Sequence, residues 1–349
     1  MKLFTCASCR NLLFFENVQC GRCGSQLAYV PEHKVLSTVE PATGDPSVFR
    51  ALAPEAEGGR YRLCDNYTRY GTCNWAVPAK SGDTLCLSCR LSKLIPDLSV
   101  PGAVDAWRRL ETAKRRLLYT LLQLGLPVEE GLAFEFKNDT PEEKVFTGHN
   151  EGVITINAAE ADAPFREKMR EQMGEAYRTL LGHFRHEIGH YYWSRLIEGG
   201  RWLEPWRSLF GDERQDYDAA VQRHYAEGPP ADWTAAYVSA YASTHPWEDW
   251  AESFAHYLHM VDTLETARSH GLTLQPRAVG GAPTVEVKAR RLHFDDFDDL
   301  VTAWFPLTLS LNSFNRGMGL PDLYPFVLSD GAITKLRFVH DVVEAETSA

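Results

Sequence analysis

The chain has 349 residues, enough for one large or two modest domains, and with 44% hydrophobic and 11% aromatic residues it can bury a sizeable core, which excludes a disordered chain. Lys and Arg total 36 against 47 Asp and Glu, a formal net charge of -11, which argues against a chain built mainly to grip nucleic acid or an anionic membrane. No run approaches the roughly 18 uninterrupted apolar residues of a membrane span, and the start Met1-Lys2-Leu3-Phe4-Thr5-Cys6 lacks the apolar run of a secretory signal, so a cytoplasmic setting is expected.

In that setting cysteine points to metal rather than to disulfide. All eight cysteines fall before residue 90. Cys6-x2-Cys9 and Cys20-x2-Cys23 form two knuckles, each aiming two sulfurs at one point, and together they close a tetrahedral site for structural zinc. Gly21 and Gly24 give the second knuckle its backbone freedom. Cys64, Cys73, Cys86 and Cys89 read as a second structural zinc site, although only the last pair has knuckle spacing and the sequence leaves the pairing of the quartets open. Segment 40–60, rich in Pro, Gly and acids, reads as a loop between two small modules. Residues 1–95 hold 11 Lys/Arg and 8 Asp/Glu. Two four-thiolate zinc sites at about -2 each turn that small excess slightly negative. With no dense basic cluster interleaved with aromatics, a folding or protein-docking role is expected rather than nucleic-acid binding.

Beyond the cysteines, residues 103–124 have helical periodicity ended by Gly125 and Pro127. Segments 132–136 and 152–157 alternate like strands. Residues 164–197 form a long helical stretch, interrupted near Gly174 and ended by Gly199-Gly200, with an apolar stripe of Tyr177, Leu181, Phe184, Ile188 and Tyr191. Further helices are expected at 213–225, 247–268, 295–315 and 329–343, the first opened by the acids of Gly211 to Asp218 and the third by Asp295 to Asp299. Few strands among many helices make an α+β domain.

The long helix contains His186-Glu187-Ile188-Gly189-His190. Histidines four apart lie on one helical face, so both imidazoles reach one Zn2+, while Glu187, about 100° round from His186, reaches a water on that metal. A hydrolytic zinc needs a third protein ligand and one open position. The best region for it is Tyr241 to Phe254, where Pro246 opens a helix, Trp250, Phe254 and Tyr257 form its buried stripe, and Glu248 and Glu252 project together from the other side. One carboxylate suits the metal and the other a ligand histidine's free N–H. His183, one turn before His186, reads as a surface histidine rather than a ligand, and His256 and His259 as packing or surface residues.

These residues carry a resemblance. HExxH followed by Tyr-x6-Glu-x3-Glu is similar to the gluzincin metallopeptidases, most closely the lethal-factor type, over about 80 residues. The whole chain resembles a family of zinc-ribbon-containing metallopeptidases, marked by the CxxC pairs, His186 to Trp193, Phe210 to Arg214 and His245 to Glu252. The resemblance implies Glu248 as third zinc ligand, Glu252 as support for a histidine, and Tyr241 as helper of the oxyanion. In the alternative register Glu252 is the ligand, with Asp249 or His256 as its helper, but the Tyr241 spacing fits only the first. It also implies Glu187 as general base for a zinc-activated water, and strand 153–157 as a partner for extended substrate backbone.

The expected architecture is therefore α+β: a mainly helical zincin-like metallopeptidase domain with a small sheet (98–349), preceded by a zinc-ribbon module (1–38) and a second four-cysteine zinc module (39–97). The expected ions are one catalytic and two structural Zn2+. A peptide or protein substrate is expected, no membrane, no nucleic acid, and a protein partner through the N-terminal modules. The competing classes are a catalytically silent zinc-bearing interaction module and a nucleic-acid-associated zinc-ribbon protein.

Overall fold

The computed structural model describes residues 1–128, 131–274 and 296–347, with backbone alone at Val287–Lys288. They fall into two compact units, Met1–Lys168 and Met169–Ala349.

In the first unit a two-stranded ladder, β1 (Phe4–Thr5) with β2 (Leu12–Leu13), carries the first knuckle. Five antiparallel strands follow in spatial order: β3 (Leu27–Val30), β4 (Val35–Ala42), β5 (Asp45–Ala51), β6 (Arg60–Leu63) and β7 (Ala76–Pro78). Segment 40–60 is thus not a loop between modules but mostly sheet. Pro41 is accommodated where the β4–β5 register shifts, Gly44 at φ 91° makes the turn, and Val39, Val48 and Ala51 are buried. Turn-rich composition hid a hairpin that reaches the core through Val39, Val48 and Ala51. The short helices α1 (Asp65–Tyr70) and α2 (Leu87–Arg90) present the second quartet.

β8 (Ser92–Leu94) leads through α3 (Ala103–Leu124) to the parallel strand β9 (Ala133–Lys137). Helix α3 has the expected bounds and stops in a Gly125 cap at φ 82°. Its Tyr119 ring joins Phe15, Tyr29 and Trp75 in an aromatic cluster with successive centroids about 5 Å apart. β10 (Gly148–Asn150) and β11 (Val153–Asn157) complete a sheet of order β10-β11-β9-β8. Both edges of β11 are therefore hydrogen-bonded, to β10 and β9, and it has no free edge to offer a substrate backbone.

Helix α4 (Ala163–Met173) ends at Gly174, φ 66°, where the interruption was expected. In the second unit α5 (Leu180–Tyr192) starts on Thr179, whose hydroxyl accepts from Gly182 N–H at 3.0 Å, and runs into a π turn, Trp193–Ile197. Tyr177 lies ahead of this start, so it leaves the expected stripe and packs its ring on His259 and Phe326 instead. Helices α6 (Leu203–Phe210) and α7 (Tyr217–Glu227) lead to α8 (Pro246–Ser269), which is buried along most of its length among α5, α6, α9 (Phe297–Gly317) and α10 (Asp330–Thr347). A short ladder, β12 (Thr273–Leu274) with β13 (Val287–Lys288), precedes α9; Asp295 of the expected acidic helix start lies outside the described residues, and the cap is Asp296. The helical unit and small sheets give the α+β class expected. Among the described residues no helix is long and apolar enough to cross a membrane.

On α8, buried His256 accepts at Nδ1 from the Tyr324 hydroxyl at 2.6 Å, and Asn312 pins Tyr324 through paired 2.9 Å backbone bonds. Burial pushes the His256 imidazole down to about 4. An unfolded histidine binds its proton near 6.5, so neutral His256 favours the fold above that pH, and the contribution is lost as pH falls from about 6.5 towards 4. Unfolding in urea should show a loss of roughly 3 kcal/mol from this group across that window, and His256→Gln should flatten the slope; an unchanged slope would assign the acid sensitivity elsewhere.

Candidate metal centre

The cysteines assort as the sequence suggested, Cys6, Cys9, Cys20 and Cys23 in one cluster and Cys64, Cys73, Cys86 and Cys89 in the other. Sulfur separations of 3.7 Å (Cys6–Cys23), 3.6 Å (Cys9–Cys20) and 3.6 Å (Cys73–Cys86) are far beyond a disulfide and close to the edge, about 3.8 Å, of a tetrahedron with zinc–sulfur bonds of about 2.3 Å. Backbone N–H groups of Trp75 and Cys86 donate to the Cys73 and Cys64 sulfurs at 3.3 and 3.4 Å, support suited to thiolates. Both donor sets fit zinc.

In the second unit His186, His190 and Glu248 form a third donor set. Glycine at the fourth motif position brings it together. A Cβ on Gly189 would sit 2.9 Å from Ala251 Cα and 3.1 Å from its carbonyl oxygen, so α5 and α8 cross in a contact that admits only glycine. The Trp250 indole N–H fixes the crossing by donating to the Gly189 carbonyl at 2.8 Å. The facing helices then place Glu248 Oε2 3.0 Å from His186 Nε2 and 3.5 Å from His190 Nε2, with 3.2 Å between the two nitrogens. Ligands on a tetrahedral zinc with bonds of about 2.05 Å stand about 3.3 Å apart, so the three atoms have the spacing of one triangular face. Oε2 is buried without a hydrogen-bond partner among the described residues, a costly state for a carboxylate oxygen unless a cation meets it.

The second carboxylate is placed differently. Glu252 Oε1 lies 2.7 Å from His186 Nδ1, and its Oε2 accepts from Ser239 at 2.6 Å. Nδ1–H donating to Glu252 leaves Nε2 as His186's acceptor, the tautomer a metal ligand needs. The alternative register is disfavoured: Glu252 is the oxygen partner of Nδ1, Asp249 is taken by Lys335 Nζ at 2.5 Å, and His256 by Tyr324. His183 is half-buried and outside the donor set.

Glu187 is buried beside both histidines; burial raises its carboxyl, while His186 and His190 pull it back. Tyr241, in a 3-10 turn, sets its ring 5.9 Å from that of His186, and burial together with the Glu248 charge raises its phenol far above the ordinary value, so it stays a donor. Tyr241 hydrogen-bonds to Tyr217, which donates in turn to Glu248 Oε1 at 2.7 Å.

Sequence reasoning missed Tyr217, Ser239, His245, Lys335 and the packing role of Gly189. His245 caps α8, its Nδ1 accepting from Trp247 N–H at 3.1 Å while Nε2–H donates to the Gln215 carbonyl at 3.2 Å. Lys335 holds Asp249 and the Ala236 carbonyl, joining α10 to the segment that carries Ser239 and Tyr241. Only Pro246, just after the cap, gave a sequence signal for this corner. The acidic segment Gly211 to Asp218 is tied down by Arg207, which pairs with Glu213 through two guanidinium nitrogens.

Two cysteine quartets and a histidine–histidine–glutamate triplet on crossed helices are three donor sets suited to zinc. Residues 103–342 match the family described as "Putative zinc-binding metallo-peptidase" and residues 3–100 a zinc-ribbon domain, and the chain belongs to that metallo-peptidase family. It is 41% identical over 352 residues to uncharacterized proteins of Mycobacterium bovis and Mycobacterium tuberculosis, an alignment covering 99% of this chain and 96% of each relative. No solved structure matches it.

Gly189→Ala should force the two helices apart. The expected cost is about 1–3 kcal/mol of stability, read as a lower melting temperature, together with loss of the metal ion held by the triplet; a variant that keeps both would show that the crossing is not tight.

Proposed function

We propose that the chain hydrolyses peptide bonds with a zinc ion held by His186, His190 and Glu248. The observation that carries this reading is the triangle of 3.0–3.5 Å formed by their facing donor atoms, with Glu187 buried alongside and a protonated tyrosine on the flank. When bound, zinc supplies Lewis acidity that makes water nucleophilic near neutral pH and polarises the scissile carbonyl.

The chain's own groups do the rest. Glu187 takes the proton of the attacking water at its carboxylate, a step favoured by the burial that raises its affinity for protons, and returns that proton to the leaving amine as the C–N bond breaks. The Tyr241 hydroxyl turns from Tyr217 to donate to the oxyanion, a bond worth roughly 3 kcal/mol of barrier. Glu252 holds His186 through Nδ1, and Ser239 holds Glu252. The cysteine-bearing residues 1–95 fit a folding or protein-docking role, because their small basic excess is offset by thiolate charge.

Metal analysis of the full chain should find three zinc ions, falling to two in His186→Ala. Glu187→Gln should keep three ions and lose cleavage of an unstructured peptide mixture followed by mass spectrometry. Tyr241→Phe should keep three ions and lower kcat about 100-fold. Three ions with no cleavage by the wild type would favour a binding module, and undiminished cleavage by Glu187→Gln would remove Glu187 from its role.

A further inference from the structure

We infer that Tyr217 is a positioning residue that fixes Glu248 as a one-oxygen ligand, setting how tightly the triplet holds its ion and how many coordination positions it leaves open. The inference rests on the zinc reading above.

A carboxylate offers two oxygens, and beside two histidines it can turn both towards the ion, filling a position that water and substrate need. Here the two oxygens are in different states. Glu248 Oε1 accepts the Tyr217 hydroxyl at 2.7 Å. Oε2 is buried, has no hydrogen-bond partner among the described residues, and faces the Nε2 atoms of His186 and His190. To bind through both oxygens, Glu248 would have to give up Tyr217 and leave a half-buried phenol hydroxyl short of its acceptor.

The phenol is itself held in place from several directions. Asp216 caps α7 by accepting from Ala219 N–H at 3.0 Å, which puts Tyr217 on the first helical residue. His245 then spans the starts of both helices, bonding the Gln215 carbonyl just before α7 and the Trp247 N–H in the first turn of α8. Its ring also packs edge-on against Tyr217 at 5.3 Å. Gly211, at φ 108°, lets the preceding turn pass Pro246, where a Cβ would meet Pro246 Cγ at 3.3 Å. Donor and acceptor therefore sit on two helix starts clamped to each other, and Tyr217 gives its own proton to the Glu248 carboxylate while its oxygen meets the Tyr241 hydroxyl.

The test uses the full chain with its cysteine quartets zinc-loaded. Competition with a chelator for the third zinc ion should show Tyr217→Phe binding it about 10–100-fold more weakly than wild type. Cobalt(II) placed in that site should change from the intense visible absorption of four-coordinate cobalt to the weak absorption of five-coordinate cobalt. Tyr241→Phe should leave both the affinity and the cobalt spectrum as in wild type. Wild-type affinity and spectrum in Tyr217→Phe would overturn the inference while leaving the zinc site standing, whereas a wild-type chain that holds only two zinc ions would overturn the site reading itself. If Tyr217→Phe fails to fold, Tyr217→His, which keeps a donor, gives the second arm: four-coordinate cobalt is expected, and five-coordinate cobalt would overturn the inference.

Discussion

The second unit is organised by the absence of a side chain. At Gly189 the backbones of α5 and α8 approach so closely that a single methyl group would collide with Ala251. Helices normally pack 8–10 Å apart on interleaved side chains. Removing them at one point lets histidine side chains of one helix and a carboxylate of the other reach a common centre. The Trp250 indole bond to the Gly189 carbonyl and the stacking of Tyr192 on Phe254 hold the crossing from its apolar side. Apolar burial on one side thus presses together polar groups that would otherwise repel or solvate on the other.

What those polar groups become depends on a surrounding layer of bonds. Glu252 and Ser239 orient His186, Tyr217 holds one oxygen of Glu248, and His245 clamps the starts of α7 and α8. Lys335 reaches from α10 into the same corner, with its ammonium over the Tyr237 ring at 4.0 Å and on Asp249. Burial pushes Asp249 up to about 7 even with that ammonium beside it. With Asp249 held by Lys335, the carboxylate oxygen that faces the two histidines is Glu248 Oε2. Such a network costs desolvation, which its hydrogen bonds and the Lys335 ion pair offset in part.

The first unit solves a different problem with the same economy of covalent reach. Its strands are short, and two cysteine clusters stand where more apolar packing would otherwise be needed. The shared aromatic cluster of Phe15, Tyr29, Trp75 and Tyr119 draws residues from both cysteine segments and from α3 into one core.

The cysteine quartets, the HExxH helix and the carboxylate pair one turn apart were legible in the sequence because their chemistry depends on local spacing, which periodic backbone geometry converts directly into direction. Helix α3 was legible to the residue for the same reason, through its apolar period and terminal Gly125. Strands β4 to β6 were not, since Pro, Gly and acids obscure a hairpin whose burial comes from distant partners. Nor could spacing say that β11 would be paired on both edges, or distinguish Glu248 from Glu252 by anything firmer than register with Tyr241. The parts played by Tyr217, His245 and Lys335 belong to contacts between residues 30 to 86 positions apart. The chain's order determined which donor types it carries; only the close crossing at Gly189 and the clamped helix starts decided which of their atoms meet.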